Sequence, residues 1–196
     1  METITLQNLK PHSLKRREAL RVLKTNLQFC GDDIKSILIT STIPGECKST
    51  ISVDLAVSLT ESGKRVLLID ADMRKSVVHK AFSLENKSGL STVIGNMTNF
   101  DETVHKNVIE NLDVLTSGVT VPNPSELLAS KNFEELINTL SDRYDYIIID
   151  TPPINIVSDA LTIKNSIAGI MPSVFARYSK AFTASSSVTG TYSALP

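Results

Sequence analysis

Residues 37–50, ILITSTIPGECKST, read as an apolar strand, a Pro-Gly turn and a Lys-Ser-Thr helix start. Pro44-Gly45 turns the chain sharply, so that the backbone N–H groups that follow converge into an anion-binding nest. Lys48 is placed to reach the β- and γ-phosphates of a nucleotide, and the Ser49 hydroxyl to meet Mg²⁺. Ile51, Leu55, Ala56 and Leu59 then recur at helical spacing until Gly63. Phosphates would therefore sit at a helix N-terminus, where unpaired N–H groups and the helix dipole favour negative charge. Two positions depart from the pattern G-x-x-x-x-G-K-[ST]: Ser41 and Cys47 stand where it has glycine. Taken alone, the stretch also fits a plain strand–turn–helix with a surface lysine.

Two further segments end in the same chemistry. RVLLIDADMR (65–74) is an apolar run closing on Asp70 and Asp72, and YDYIIIDTPP (144–153) closes on Asp150. Unbroken apolar runs suit parallel strands covered on both faces. Carboxylates at their C-terminal ends lie where open α/β sheets bind ligands. Such acids can hold Mg²⁺ directly or through water, or accept a hydroxyl proton. Any one of them could equally end a strand or cap a helix. Three strand ends with this chemistry in one chain favour a nucleotide site.

These motifs, in this order, resemble the cytoplasmic bacterial tyrosine kinases (BY-kinases) of capsular and extracellular polysaccharide synthesis. Those kinases form a branch of the deviant-Walker P-loop ATPases. The resemblance rests on STIPGECKST (41–50), LLIDADMR (67–74), IIIDTPP (147–153) and SGVTVPNPSELLAS (117–130), and covers roughly residues 14–164. It implies an α/β three-layer sandwich with a mostly parallel sheet, and ATP and Mg²⁺ as cofactors. Pro44, Gly45, Glu46, Cys47, Lys48, Ser49 and Thr50 would form the phosphate loop. Lys48, Asp70 and Asp72 would be catalytic, with Asp70 activating the tyrosine. Ser49, Asp70 and Asp150 would hold the metal.

The resemblance also implies partners. A membrane-embedded polysaccharide co-polymerase would act as activator and recruit the kinase from the cytoplasm to the inner face of the membrane. EALRVLKTNLQF (18–29) resembles the helix that packs such kinases into a ring, with Glu18 and Arg21 matching and Lys24 in place of a final arginine. Read without the family, those residues form a solvated charged face.

The C-terminal part departs from the family. No acidic residue follows Asp159, residues 172–196 are mostly Ser, Ala and Thr, and only Tyr178 and Tyr192 stand where a tyrosine cluster is expected. The expectation is a lead-in over 1–12, a kinase-like domain over 13–164 and a disordered, aberrant tail over 165–196. The sheet would then miss its last strands and leave an edge beside the phosphate-loop strand.

Three functions follow: a protein-tyrosine kinase, a degenerate non-catalytic copy, or a positioning ATPase of the same branch. The last carries an early loop lysine, which Ser41-Thr42-Ile43-Pro44 lacks. For Cys47 two readings stand side by side, a substitution without a role and a redox-sensitive thiol. With 20 basic and 21 acidic residues, no field for nucleic acid is expected. Cys30 and Cys47 read as reduced thiols of a cytoplasmic protein, and His12, His79 and His105 lack metal-ligand spacing.

Overall fold

The structure is a computed structural model that describes residues 14–29, 34–41, 47–153 and 169–171. Strand β1 (Ser36–Ile39) precedes helix α2 (Lys48–Thr60), and α1 (Leu14–Phe29) comes before both. After them run β2 (Val66–Asp70), the short helices α3 (Val78–Ala81), α4 (Leu90–Ile94) and α5 (Phe100–Thr103), β3 (His105–Ile109) and β4 (Leu112–Leu115). Helices α6 (Pro124–Leu128) and α7 (Lys131–Ser141), then β5 (Tyr146–Asp150) and β6 (Gly169–Met171), complete the described elements.

The strands make one sheet in the order β3-β4-β2-β5-β1-β6. All neighbours are parallel except β3, which runs antiparallel to β4. Every residue of β1 and β2 is buried, as strands covered on both faces require. Alternate side chains feed two cores. Ile37, Ile39, Val66, Leu68 and Ile148 pack with α1, α2 and α3. Leu38, Leu67, Ile69, Ile147 and Ile149 pack with α4 and with Phe133, Ile137 and Leu140 of α7. Helices therefore cover both faces, which is the expected three-layer sandwich.

Local chemistry sets the helix ends. The Ser130 hydroxyl accepts the Phe133 N–H at 3.3 Å and so caps α7. Helix α2 stops where Gly63 takes φ 75°. Helix α1 lies on α2 through Leu20, Leu23 and Leu27, and is fastened by an ion pair between Arg16 and Asp54.

The sequence reads as strands near 35–40, 65–70, 112–116 and 144–150, where β1, β2, β4 and β5 fall, and β3 and β6 are present besides. Strand β3 falls in the stretch 75–110, which reads from sequence as short helical pieces broken by Gly89 and Gly95. Of its first three residues His105 is partly buried and Lys106 and Asn107 are exposed, as the edge position of β3 in the described sheet allows. Strand β6 lies in the stretch expected to be a foreign tail, yet Gly169–Met171 pair with Ile37–Ile39 in parallel register. At those residues β1 has a neighbour on the side where an open edge was expected. A bare row of N–H and C=O groups is a template for pairing, and a short strand satisfies it. The remaining residues of 165–196 lie outside the described residues.

Candidate active site at the C-terminal edge of the sheet

Because β1, β2 and β5 are parallel, their C-terminal ends meet at one edge. In the register Asp70 stands opposite Asp150, and Asp150 opposite Ile39. The ends are locked together: the Thr151 hydroxyl donates to the Ile39 carbonyl at 3.0 Å, and the Thr40 hydroxyl to that of Pro152 at 3.1 Å. Helix α2 begins at Lys48, directly over this edge.

Of the phosphate-loop residues expected from sequence, Pro44, Gly45 and Glu46 lie outside the described residues. Cys47, Lys48, Ser49 and Thr50 line a cleft of about 310 Å³, together with Asp72, Arg74, Lys75, Val77, Pro152 and Pro153. Cys47 caps α2 at φ 57°, ψ 26°, a left-handed conformation that costs a residue with a Cβ about 1–2 kcal/mol. Its side chain is exposed and makes no cap hydrogen bond. The glycine of the family pattern would take this conformation without that cost.

The three carboxylates sit at different depths. Asp72 reaches the cleft wall, whereas Asp70 and Asp150 are fully buried behind it. Both Asp70 oxygens accept protein donors: Oδ1 the Asp72 N–H at 3.1 Å, and Oδ2 the Ser76 hydroxyl at 2.7 Å. Asp150 Oδ1 accepts the Ser52 hydroxyl at 2.8 Å, but Asp150 Oδ2 is buried with no hydrogen-bond partner among the described residues. An unpaired buried carboxylate oxygen is costly unless a cation or donor meets it.

Electrostatics point the same way. Burial first, then the charge of Asp150, pushes the Asp70 carboxyl well above its usual range. Burial also raises Asp150, while hydrogen bonds from Ser49 and Ser52 and the Lys48 ammonium pull it back. Both acids thus bind protons more tightly in the folded chain than in the unfolded one. The folded chain then holds more protons from the ordinary carboxylate range up to the raised values, and its stability falls as pH rises through that window. Thermal melts of the metal-free chain should show this fall, and Asp150→Asn should reduce it. An equal slope in the variant would contradict the assignment.

The donors fit Mg²⁺. Ser49 and Asp150 offer hard oxygens, one of them unsatisfied, at the start of α2. Among the described residues no three His, Cys, Asp or Glu side chains gather to hold a metal by themselves. Mg²⁺ does not require that, since it binds through one or two protein ligands plus substrate phosphates and water.

A family model described as "AAA domain" matches residues 34–181. The chain is 45% identical over 167 residues to the tyrosine-protein kinase YwqD of Bacillus subtilis (strain 168), covering 84% of this chain and 70% of that one. The chain belongs to the bacterial tyrosine-kinase family. A Staphylococcus aureus relative is 46% identical over 145 residues, and the chain spans 64% of that protein's length. Among solved structures, the kinase domain of the Escherichia coli tyrosine kinase ETK superposes with a TM-score of 0.79 at 31% identity, over 87% of this chain and 68% of that one. The septum site-determining protein MinD of Pyrococcus horikoshii OT3, complexed with Mg-ADP, superposes at 0.60 and 23% identity, over 69% and 56%, and shares the fold alone.

Sequence reasoning passed over Ser52 and Ser76. Ser52 follows Lys48 by four residues on α2 and so shares its face, a spacing that could have placed it beside the strand end.

Proposed function

We propose that this family member is an ATP-dependent protein-tyrosine kinase regulating capsular or extracellular polysaccharide synthesis and export. The observation that carries this reading is the unpaired, buried Asp150 Oδ2 beside Ser49 and Lys48 at the start of α2. A Mg²⁺-bound triphosphate supplies what that arrangement lacks, a cation for the oxygen and anions for the helix end. Lys48 would stabilise phosphate charge, Ser49 and Asp150 would hold Mg²⁺, and bound Mg²⁺ would neutralise charge on the transferring phosphoryl group. Asp70 is the proton acceptor for tyrosine in this reading, because its raised proton affinity suits general-base work near neutral pH. Asp72, on the cleft wall, would orient metal-bound water.

In this reading a membrane-embedded co-polymerase activates the chain from the inner face of the membrane. Among the described residues no helix is long and apolar enough to cross a membrane. Ring assembly would use Glu18 and Arg21, which are exposed and paired with each other at 2.7 Å. Lys24 instead donates to the Ser58 carbonyl at 3.0 Å and the Ser62 hydroxyl at 3.1 Å, within its own chain. An intersubunit contact through Lys24 would first have to break these bonds.

The strained Cys47 favours a second reading, a degenerate copy that docks on the activator without transferring phosphate. The test is phosphotyrosine formation from Mg-ATP by the full chain with a cytoplasmic activator segment. Cys47→Gly removes the left-handed cost, which the fold carries whether or not nucleotide is bound, and should stabilise the folded chain by about 1–2 kcal/mol, read as a higher denaturation midpoint. Phosphotyrosine from the unsubstituted chain supports the kinase. Its absence from both chains, each folded and Mg-ATP-exposed, selects the degenerate copy.

A further inference from the structure

Behind the cleft, a hydrogen-bonded line runs from Asp70 to the protein surface. The Ser76 hydroxyl lies 2.7 Å from Asp70 Oδ2 and 2.9 Å from His79 Nδ1. The Asn86 amide nitrogen donates to the same hydroxyl at 3.5 Å. Asn86 is itself fixed, its Oδ1 accepting the Gly118 N–H at 2.8 Å. Ser76 and His79 are both half-buried, and His79 sits on α3.

A hydroxyl has one proton and two lone pairs. Asp70 as a carboxylate can only accept, so the Ser76 proton points at Oδ2. His79 must then donate from Nδ1, and Asn86 donates as well, which leaves the hydroxyl fully satisfied. Asp70 has about four acceptor positions, of which Oδ2 uses two, for Ser76 and for the Val78 N–H at 3.4 Å. Oδ1 uses one, for the Asp72 N–H. The vacant position is on Oδ1.

We propose that Ser76 and His79 are positioning residues, a strut that holds Asp70 by Oδ2 and leaves Oδ1 to meet the reacting hydroxyl. Neither side chain is among the residues that line the cleft, and Ser76 meets Asp70 from the Oδ2 side. The strut carries no charge to the phosphates. Its effect is orientation: a carboxylate that rotates out of place loses the aligned geometry on which proton abstraction depends. The catalytic consequence rests on the kinase reading given above, but the strut itself does not.

Two measurements on the full chain separate them. The first is nitrogen-15 NMR of the His79 ring in mildly alkaline buffer, which reports the tautomer without any turnover. The Nδ1–H form is expected in the unsubstituted chain and in Ser76→Thr, and the Nε2–H form in Ser76→Ala. An Nε2–H ring in the unsubstituted chain, or the same ring signal in Ser76→Ala, overturns the strut. The second is steady-state kinetics. Ser76→Ala should lower kcat about tenfold with KM for ATP unchanged, and Ser76→Thr should restore it. Equal kcat in Ser76→Ala, or failure of threonine to rescue it, overturns the positioning role. If neither the unsubstituted chain nor Cys47→Gly makes phosphotyrosine, the kinase reading fails and the ring tautomer alone decides the strut.

Discussion

Lys48→Ala should lower phosphotyrosine formation by about 10²- to 10³-fold, the usual cost of removing one preorganised group that meets developing charge. The ammonium stands at the first residue of α2 and on the wall of the cleft. It is nearly buried, at 9% exposure, so its charge is weakly screened. It also holds down the proton affinity of Asp150. Without it, Asp70 and Asp150 would face each other across adjacent strands with less compensation. The variant should still fold, because Lys48 opens α2 and its side chain is not part of either apolar core. Circular dichroism checks the fold, and a phosphotyrosine assay reads the loss. Activity within a factor of about three of the unsubstituted chain would remove Lys48 from the phosphate site.

Gly89→Ala should destabilise the fold by about 3 kcal/mol or more, the upper end of overpacking costs. The reason is space, since its backbone is extended at φ 175°. A Cβ at this position would lie 2.2 Å from the Thr116 carbonyl oxygen and 2.3 Å from the Gly118 nitrogen, both backbone atoms. Neither can rotate away as a side-chain end could. The close approach lets the Leu90 N–H reach the Thr116 carbonyl at 2.7 Å and the Ser91 N–H reach that of Ser117 at 2.9 Å. These bonds fasten the start of α4 to the end of β4. Chemical denaturation would measure the loss; a midpoint shifted by less than the spread of replicate melts would show that the loop can yield.

The family and most of the sheet were legible in the sequence because their signals are local. ILIT, VLLID and YIIID are unbroken apolar runs, and each ends in the polar residues that the parallel sheet gathers at one edge. The left-handed backbone of Cys47 was legible too, since a glycine position in a phosphate loop states its own conformational need. What could not be read depends on distant partners. Strand β3 carries a polar sequence and owes its conformation to pairing with β4. The inward turn of Lys24 follows from how α1 lies on α2. The depth order of the acids, with Asp72 on the wall and Asp70 behind it, is set by where β2 stops, two residues before the chain reaches the cleft. Ser76 and His79 stand six and nine residues after Asp70 in a stretch without periodic pattern, and only the folded loop brings them to it.

In the proposed function Lys48, Ser49 and Asp150 form a nucleotide site despite Cys47. Titration calorimetry of the full chain with Mg-ATP tests it most directly, with Lys48→Ala as the control and circular dichroism confirming that both are folded. Saturable binding to one site, lost in Lys48→Ala and weakened when Mg²⁺ is withheld, is the predicted result. A folded chain that takes up no Mg-ATP, or that binds it equally well without Lys48, would rule out a nucleotide site at the start of α2.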